Sequence, residues 1–311
     1  MKKLQILAYI ITVLSFFFLL RFFFTLNLKD LKLPDPLWAI VYLLLFIFLY
    51  SLTIFCFSFS WKLILEFLSQ EKLSYTNVIE VYTKANLAKY IPGKVVYLAV
   101  RNLLGNRYGW KQSIILMSNV LEIFFLFLTT CLVSLVLTHK DFIDVILLIY
   151  KKIKGKFIFS FIIIIFMFIL GGVLYLLIKK RDYIRELKKI LTWDFLILSI
   201  KIFIINSIAF FISGLILFLI YSFVMGIHVE NSQIIKIITS YILSWMGGFV
   251  NPGAPGGIGI RETILILLLA STCGSSTTLM AVLLHRLVSV TGDLLAFGLG
   301  YLIKKVLCYE K

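Results

Sequence analysis

Among the charged residues inside runs that are otherwise apolar are Glu122 in 113 to 137, Lys201 in 196 to 225, and Arg286 and Asp293 in 281 to 303. A charge at the centre of a membrane helix costs about 2.5 to 3.5 kcal/mol on insertion scales, so such residues face a protein interior or a wet cavity. Arg286 and Asp293 are seven positions apart, two helical turns, and share one helix face. Asn119 shares a face with Glu122 in the same way. Glu122, Arg286 and Asp293 are therefore expected to form one polar core, either a set of ion pairs that fixes helix packing or a receptor for a charged group. Lys201 lies near a span end and is expected to snorkel. His285, beside Arg286, reads as a packed, hydrogen-bonded histidine rather than a proton relay.

A second pattern points to anions. Pro92-Gly93 and Pro252-Gly253 each interrupt an amphiphilic segment, and each proline is followed nine positions later by an arginine, Arg101 and Arg261. The 13 residues from Gly247 to Gly259 hold six of the chain's 18 glycines and two of its five prolines, so the backbone there must leave helical geometry. At bilayer depth, freed N–H and C=O groups are tolerated only inside protein or beside water. Short helices are expected to resume at about Val95 and Ile260, with Lys94 and Arg261 in or beside their first turns. A helix N-terminus already favours anions, so a cation there is of the wrong sign unless an anion binds; N–H groups and a cation together make a phosphate or carboxylate site. Glu262 either neutralises Arg261 or complements the helix dipole. A kinked helix without ligand is the alternative for both breaks. The candidate substrate-binding residues are thus Pro92, Gly93, Lys94, Arg101, Glu122, Pro252, Gly253, Gly256, Gly257, Arg261, Glu262, Arg286 and Asp293.

The elements that must position these residues are membrane helices. Of 311 residues 61% are hydrophobic and 15% charged, with 29 phenylalanines, a composition far from that of a soluble domain. The formal charge of +16 would suggest nucleic acid in a soluble chain; here cationic loops that set topology and meet anionic headgroups explain it, and no nucleic-acid partner is expected. Six runs are long enough to span: 4 to 24, 37 to 59, 113 to 137, 157 to 178, 196 to 225 and 281 to 303. The first follows Lys2 and Lys3 without a small-residue cleavage site and is expected to be a retained helix. Segments 76 to 110 and 234 to 272 are the broken ones. Trp38, Trp61 and Trp193 fall at span boundaries and are expected to be interfacial anchors.

The two breaks are 160 residues apart, and the spans recur at a similar offset. The chain reads as a single all-α polytopic membrane domain, 1 to 311, made of two copies of helix, helix, broken segment, helix: about 1 to 155 and about 156 to 311. If each broken segment is re-entrant, a copy crosses three times and the second is inverted, a transporter architecture. With both termini cytoplasmic, inner loops hold 19 Lys+Arg and outer loops nine, although loop 138 to 156, expected outside, carries five lysines. Full crossing of 76 to 110 would move that loop inside.

Cys56, Cys131, Cys273 and Cys308 are scattered without CxxC spacing, so neither a disulfide nor a metal site is expected. Asp30 and Asp35 read as a solvated loop. No Ser-His-Asp grouping, HExxH or P-loop lysine occurs, and no cofactor is expected.

Three patches are similar to the lysylphosphatidylglycerol synthase transmembrane, or flippase-like, family: Asn86-Leu87-Ala88-Lys89-Tyr90-Ile91-Pro92-Gly93-Lys94-Val95, then Pro252 to Glu262, then His285-Arg286 through Asp293. The resemblance implies a domain that moves aminoacylated phosphatidylglycerol between leaflets, here without the soluble synthase part, since the last span ends about eight residues before Lys311. Other stand-alone relatives are associated with hopanoid lipids or glycan assembly. The expected function is a lipid translocase of the plasma membrane, moving an anionic or aminoacylated phospholipid or a lipid-linked precursor and not acting as an enzyme. An integral-membrane transferase using Glu122 or Asp293 as base, and a non-transporting scaffold for envelope lipid or glycan synthesis enzymes, are the alternatives. Expected partners are the membrane lipid, such enzymes and, as a further option, a second copy in a homodimer.

Overall fold

A computed structural model describes residues 35 to 90, 96 to 137, 192 to 250, 257 and 259 to 309. These residues form eight α-helices and no strand: α1 Pro36–Ser69, α2 Tyr75–Leu87, α3 Val96–Arg107, α4 Gln112–Leu137, α5 Trp193–Leu219, α6 Asn231–Val250, α7 Ile260–Cys273 and α8 Ser275–Tyr309. A 3-10 turn, Ala88–Tyr90, extends α2, and a π-helical turn, Ile220–Val224, extends α5. The order of long helix, two helices separated by a break, and long helix occurs twice.

Local chemistry sets the ends. Asp35 caps α1 by accepting from the Leu37 N–H at 2.9 Å, with Pro36 in the first turn where its missing N–H costs nothing. Asp35 is thereby accounted for as a cap; Asp30 lies outside the described residues. Between α3 and α4 the chain turns at Gly109, φ 75°, and the Trp110 N–H returns to the Gly105 carbonyl at 3.2 Å. A single residue, Gly274, separates α7 from α8.

Four helical segments are long and apolar enough to cross a bilayer: Pro36–Ser69, Gln112–Leu137, Trp193–Val224 and Ser275–Val306. They contain four of the six expected spans; the runs 4 to 24 and 157 to 178 lie outside the described residues. Large apolar side chains cover the outside, among them Leu37, Val41, Leu44 and Phe48 on α1 and Ile200, Ile204 and Ile208 on α5. A helix apolar on all sides belongs where lipid replaces water. The chain is an all-α multi-pass membrane protein. Lys201 is exposed on α5, and Trp38 and Trp193 are exposed in the first turns of α1 and α5. Trp61 is not such an anchor. It is fully buried and donates from Nε1 to Ser118 Oγ at 3.0 Å, because the helix carrying it runs well past residue 59 and turns this position inward.

Helix α1 packs against α5, α8, α4 and α2, and α8 packs in turn on α2 and α7. Small residues permit the closest approaches. A Cβ at Gly292 of α8 would stand 2.7 Å from Tyr50 Cδ1 and 3.2 Å from the Ile47 carbonyl oxygen of α1. Gly292→Ala is therefore expected to cost about 1 to 3 kcal/mol by overpacking, read as a lowered thermal midpoint of the purified protein.

Candidate functional site

Asp293 sits on α8 with 1% of its surface exposed, and its carboxylate is held by three donors from the end of α2. Asn86 Nδ2 donates to Oδ1 at 2.7 Å, the Tyr90 hydroxyl donates to Oδ2, and Lys89 Nζ lies 2.7 Å from Oδ2. Three donors converge because the 3-10 turn tightens the chain after Leu87, bringing Lys89 and Tyr90 round to the face that Asn86 already presents. The Lys89 ammonium also lies 5.3 Å from the centre of the Tyr90 ring. Buried carboxylates need such company, since an isolated one in low dielectric would pay heavily.

The second wall of the site comes from α6, α7 and α8. Arg261 is the second residue of α7, and its aliphatic stem runs between two glycines. A Cβ on Gly248 would overlap Arg261 Cγ, and a Cβ on Gly257 would stand 2.9 Å from Cδ. Gly257 also has φ 74°, which an L side chain resists. The guanidinium of Arg261 lies 5.3 Å from the centre of the Tyr241 ring. Its neighbour Glu262 serves the helix: Oε2 accepts the Gly259 N–H at 2.6 Å, an arrangement that caps α7 and complements its dipole. Glu262 Oε1 lies 3.7 Å from Arg286 Nε. His285 is packed as expected, its Nε2 3.0 Å from the Ser213 carbonyl oxygen and its ring 4.7 Å from that of Tyr241.

These two walls face each other. Lys89, just before the first break, pairs with Asp293 of α8, and two turns earlier on the same helix Arg286 approaches Glu262, just after the second break, so α8 joins the two flanks. Three cations, Lys89, Arg261 and Arg286, share the region with two carboxylates, Asp293 and Glu262. Asp293 pairs with Lys89, Glu262 caps α7 and approaches Arg286, and Arg261 has no ion-pair partner among the described residues. The arrangement carries a surplus positive charge beside Tyr90 and Tyr241 and is suited to holding an anion that also offers apolar surface.

Glu122 does not join Arg286 and Asp293 in one core, as the sequence grouping expected. It pairs instead with Arg101, which sequence placed at the anion site: Arg101 Nη1 bonds Glu122 Oε2, and Nη2 lies 3.3 Å from Oε1. Arg101 and Glu122 are each 3% exposed. Tyr82 donates to Glu122 Oε1 at 2.9 Å, Arg101 Nη1 reaches Asn119 Oδ1 at 3.1 Å, and the guanidinium lies 4.2 Å from the Tyr82 ring centre and 4.8 Å from that of Trp61. The grouping failed because the two carboxylates meet α2 at different heights. Tyr82 and Asn86, one turn apart on α2, serve Glu122 and Asp293 respectively.

Of the other sequence candidates, Pro92, Gly93, Lys94, Pro252, Gly253 and Gly256 lie outside the described residues. Sequence reasoning assigned no role to Asn86, Lys89, Tyr90, Tyr82 or Tyr241. The available signal was the clustering of Asn86, Lys89 and Tyr90 within seven residues before Pro92. Among the described residues no group of His, Cys, Asp and Glu could hold a metal ion.

Comparison with known proteins adds one finding. The sequence model of a family described as "Lysylphosphatidylglycerol synthase TM region" matches residues 5 to 296. No curated protein and no solved structure matches the chain.

Proposed function

Because the chain belongs to the lysylphosphatidylglycerol synthase TM region family, we propose that it is a lipid translocase, moving an anionic or aminoacylated phospholipid, or a lipid-linked precursor, between leaflets. One observation carries the reading: the flanks of both Pro-Gly breaks dock on one stretch of α8, Arg286 to Asp293, where the cations Lys89, Arg261 and Arg286 outnumber the carboxylates Asp293 and Glu262. A phosphate enters between Arg261 and Arg286, with Lys94 as a third contact from the first break. Asp293 and its donors keep the site from trapping the anion outright and give a cationic headgroup a counter-charge.

Movement follows rocking of one half against the other, the two halves being inverted copies that meet at the breaks. The recurring order of long helix, broken pair and long helix supports this division. The chain acts on its lipid by transport and not by chemistry, in the plasma membrane, with both termini cytoplasmic.

The test is leaflet exchange in liposomes carrying fluorescent phosphatidylglycerol, its aminoacylated form and a polyprenyl-phosphate probe. Wild type accelerates at least one probe, and Arg261→Ala slows it about 10- to 150-fold, the worth of a charge-assisted contact of about 1.5 to 3 kcal/mol. Undiminished exchange by Arg261→Ala sinks the anion site. Product formed from labelled lipid and sugar donors by the purified protein moves the reading to a transferase.

A further inference from the structure

Away from Asp293, a second group of charges gathers where α2, α3 and α8 meet. Glu80 on α2 has both carboxylate oxygens taken by lysines: Lys84 Nζ bonds Oε1, and Lys304 Nζ of α8 bonds Oε2. The Tyr108 hydroxyl donates to the same Oε2 at 2.5 Å, and the Lys304 ammonium bonds that hydroxyl and lies 4.4 Å from the ring centre. Burial alone would raise the Glu80 carboxyl, but the two lysines outweigh it and hold it below its ordinary value. One lysine would suffice to neutralise and clamp this carboxylate. The second leaves a surplus, and Arg107 adds to it.

The surplus borders a cavity of about 180 Å³ lined by Glu80, Val81, Leu104, Arg107 and Tyr108. Val81 is fully buried and, with Leu104, gives the cavity an apolar floor. Arg107 is exposed on its rim and has no ion-pair partner among the described residues. Height in the membrane follows from the neighbours. Arg107 and Tyr108 directly precede the span that starts at Gln112, and Lys304 lies two residues before the end of the span that closes at Val306. An apolar floor under a cationic rim at a span boundary is the environment of a lipid phosphate, which sits where acyl chains give way to water.

We infer that this cavity binds a phosphate group at headgroup level, with Arg107 as its direct ligand and Lys304 and Lys84 supplying the remaining charge, as a site separate from the one around Asp293. Phosphate presented by an anionic lipid and free inorganic phosphate share this chemistry, and the experiment separates them. Full-length protein in phosphatidylcholine nanodiscs is offered either phosphatidylglycerol, counted by native mass spectrometry, or radiolabelled inorganic phosphate, counted by filter retention. Arg107→Ala lowers the affinity for one of the two about fivefold, the upper end for an exposed ion pair, and Arg107→Lys retains most of it. A drop in phosphatidylglycerol names the lipid as the source; a drop confined to inorganic phosphate names the free anion. Equal binding by wild type and Arg107→Ala overturns the proposal, with the thermal midpoint confirming that each variant is folded. The same loss must recur when Arg107→Ala is added to Arg261→Ala. A loss that disappears in that background assigns the phosphate to the Asp293 site and overturns the proposal as well.

Discussion

Glu122→Ala is expected to be the most destabilising single substitution among the charged residues, costing about 3 to 5 kcal/mol. The cost does not come from losing a favourable pair so much as from what remains. Arg101 would stay enclosed by Trp61, Tyr82 and Tyr97 with no carboxylate to balance it, and the Tyr82 hydroxyl would lose its acceptor. Replacing both charges, as in Arg101→Met with Glu122→Leu, removes the pair without stranding a partner and is expected to recover most of the loss, since apolar pairs of similar volume often equal a buried ion pair. The measurement is the thermal midpoint and monodisperse yield of the detergent-solubilised protein for the two single variants and the double. A double variant as unstable as Glu122→Ala would mean that the pair is needed as charges, and would return Glu122 and Arg101 to the candidate binding surface.

That result would also mark where sequence reading stops. The membrane class, the four described spans and the restarts near Val95 and Ile260 were legible because each rests on a local signal: run length, apolarity, or a proline followed by glycine. The second restart falls at Ile260, and the described part of the first of these helices begins at Val96. The cap role of Glu262 was one of two readings offered, and the Gly259 N–H chose it, since a carboxylate three residues into a helix reaches the free N–H groups before it reaches a side chain. What could not be read was which charged face meets which. Glu122 and Asp293 look equivalent along the chain, yet α2 presents Tyr82 to one and Asn86, a turn later, to the other. Trp61 failed for a related reason: an aromatic at the end of an apolar run looks interfacial until the helix is seen to continue to Ser69 and carry it into the core. Partner choice across helices is a tertiary fact, and no spacing within one helix encodes it.

Asp293→Asn separates a site that binds and releases an anion from one that is merely packed. The substitution keeps the shape of the side chain but turns one acceptor oxygen into a donor, so at least one of Asn86 Nδ2, the Tyr90 hydroxyl and Lys89 Nζ faces another donor. That mismatch costs about 1 to 3 kcal/mol. It also leaves Lys89, Arg261 and Arg286 with Glu262 as their remaining carboxylate, and the charge change should act on a bound anion in the opposite sense to Arg261→Ala. Retention of an anionic lipid probe is expected to rise in Asp293→Asn while its exchange between leaflets slows by about tenfold or more, because an anion held more tightly leaves more slowly and the tie between α2 and α8 is broken. In Arg261→Ala, retention and exchange fall together. Measuring both quantities for both variants decides the matter: if Asp293→Asn lowers the thermal midpoint and leaves probe retention where it was, the Asp293 network holds helices together and the anion, if it binds, binds elsewhere.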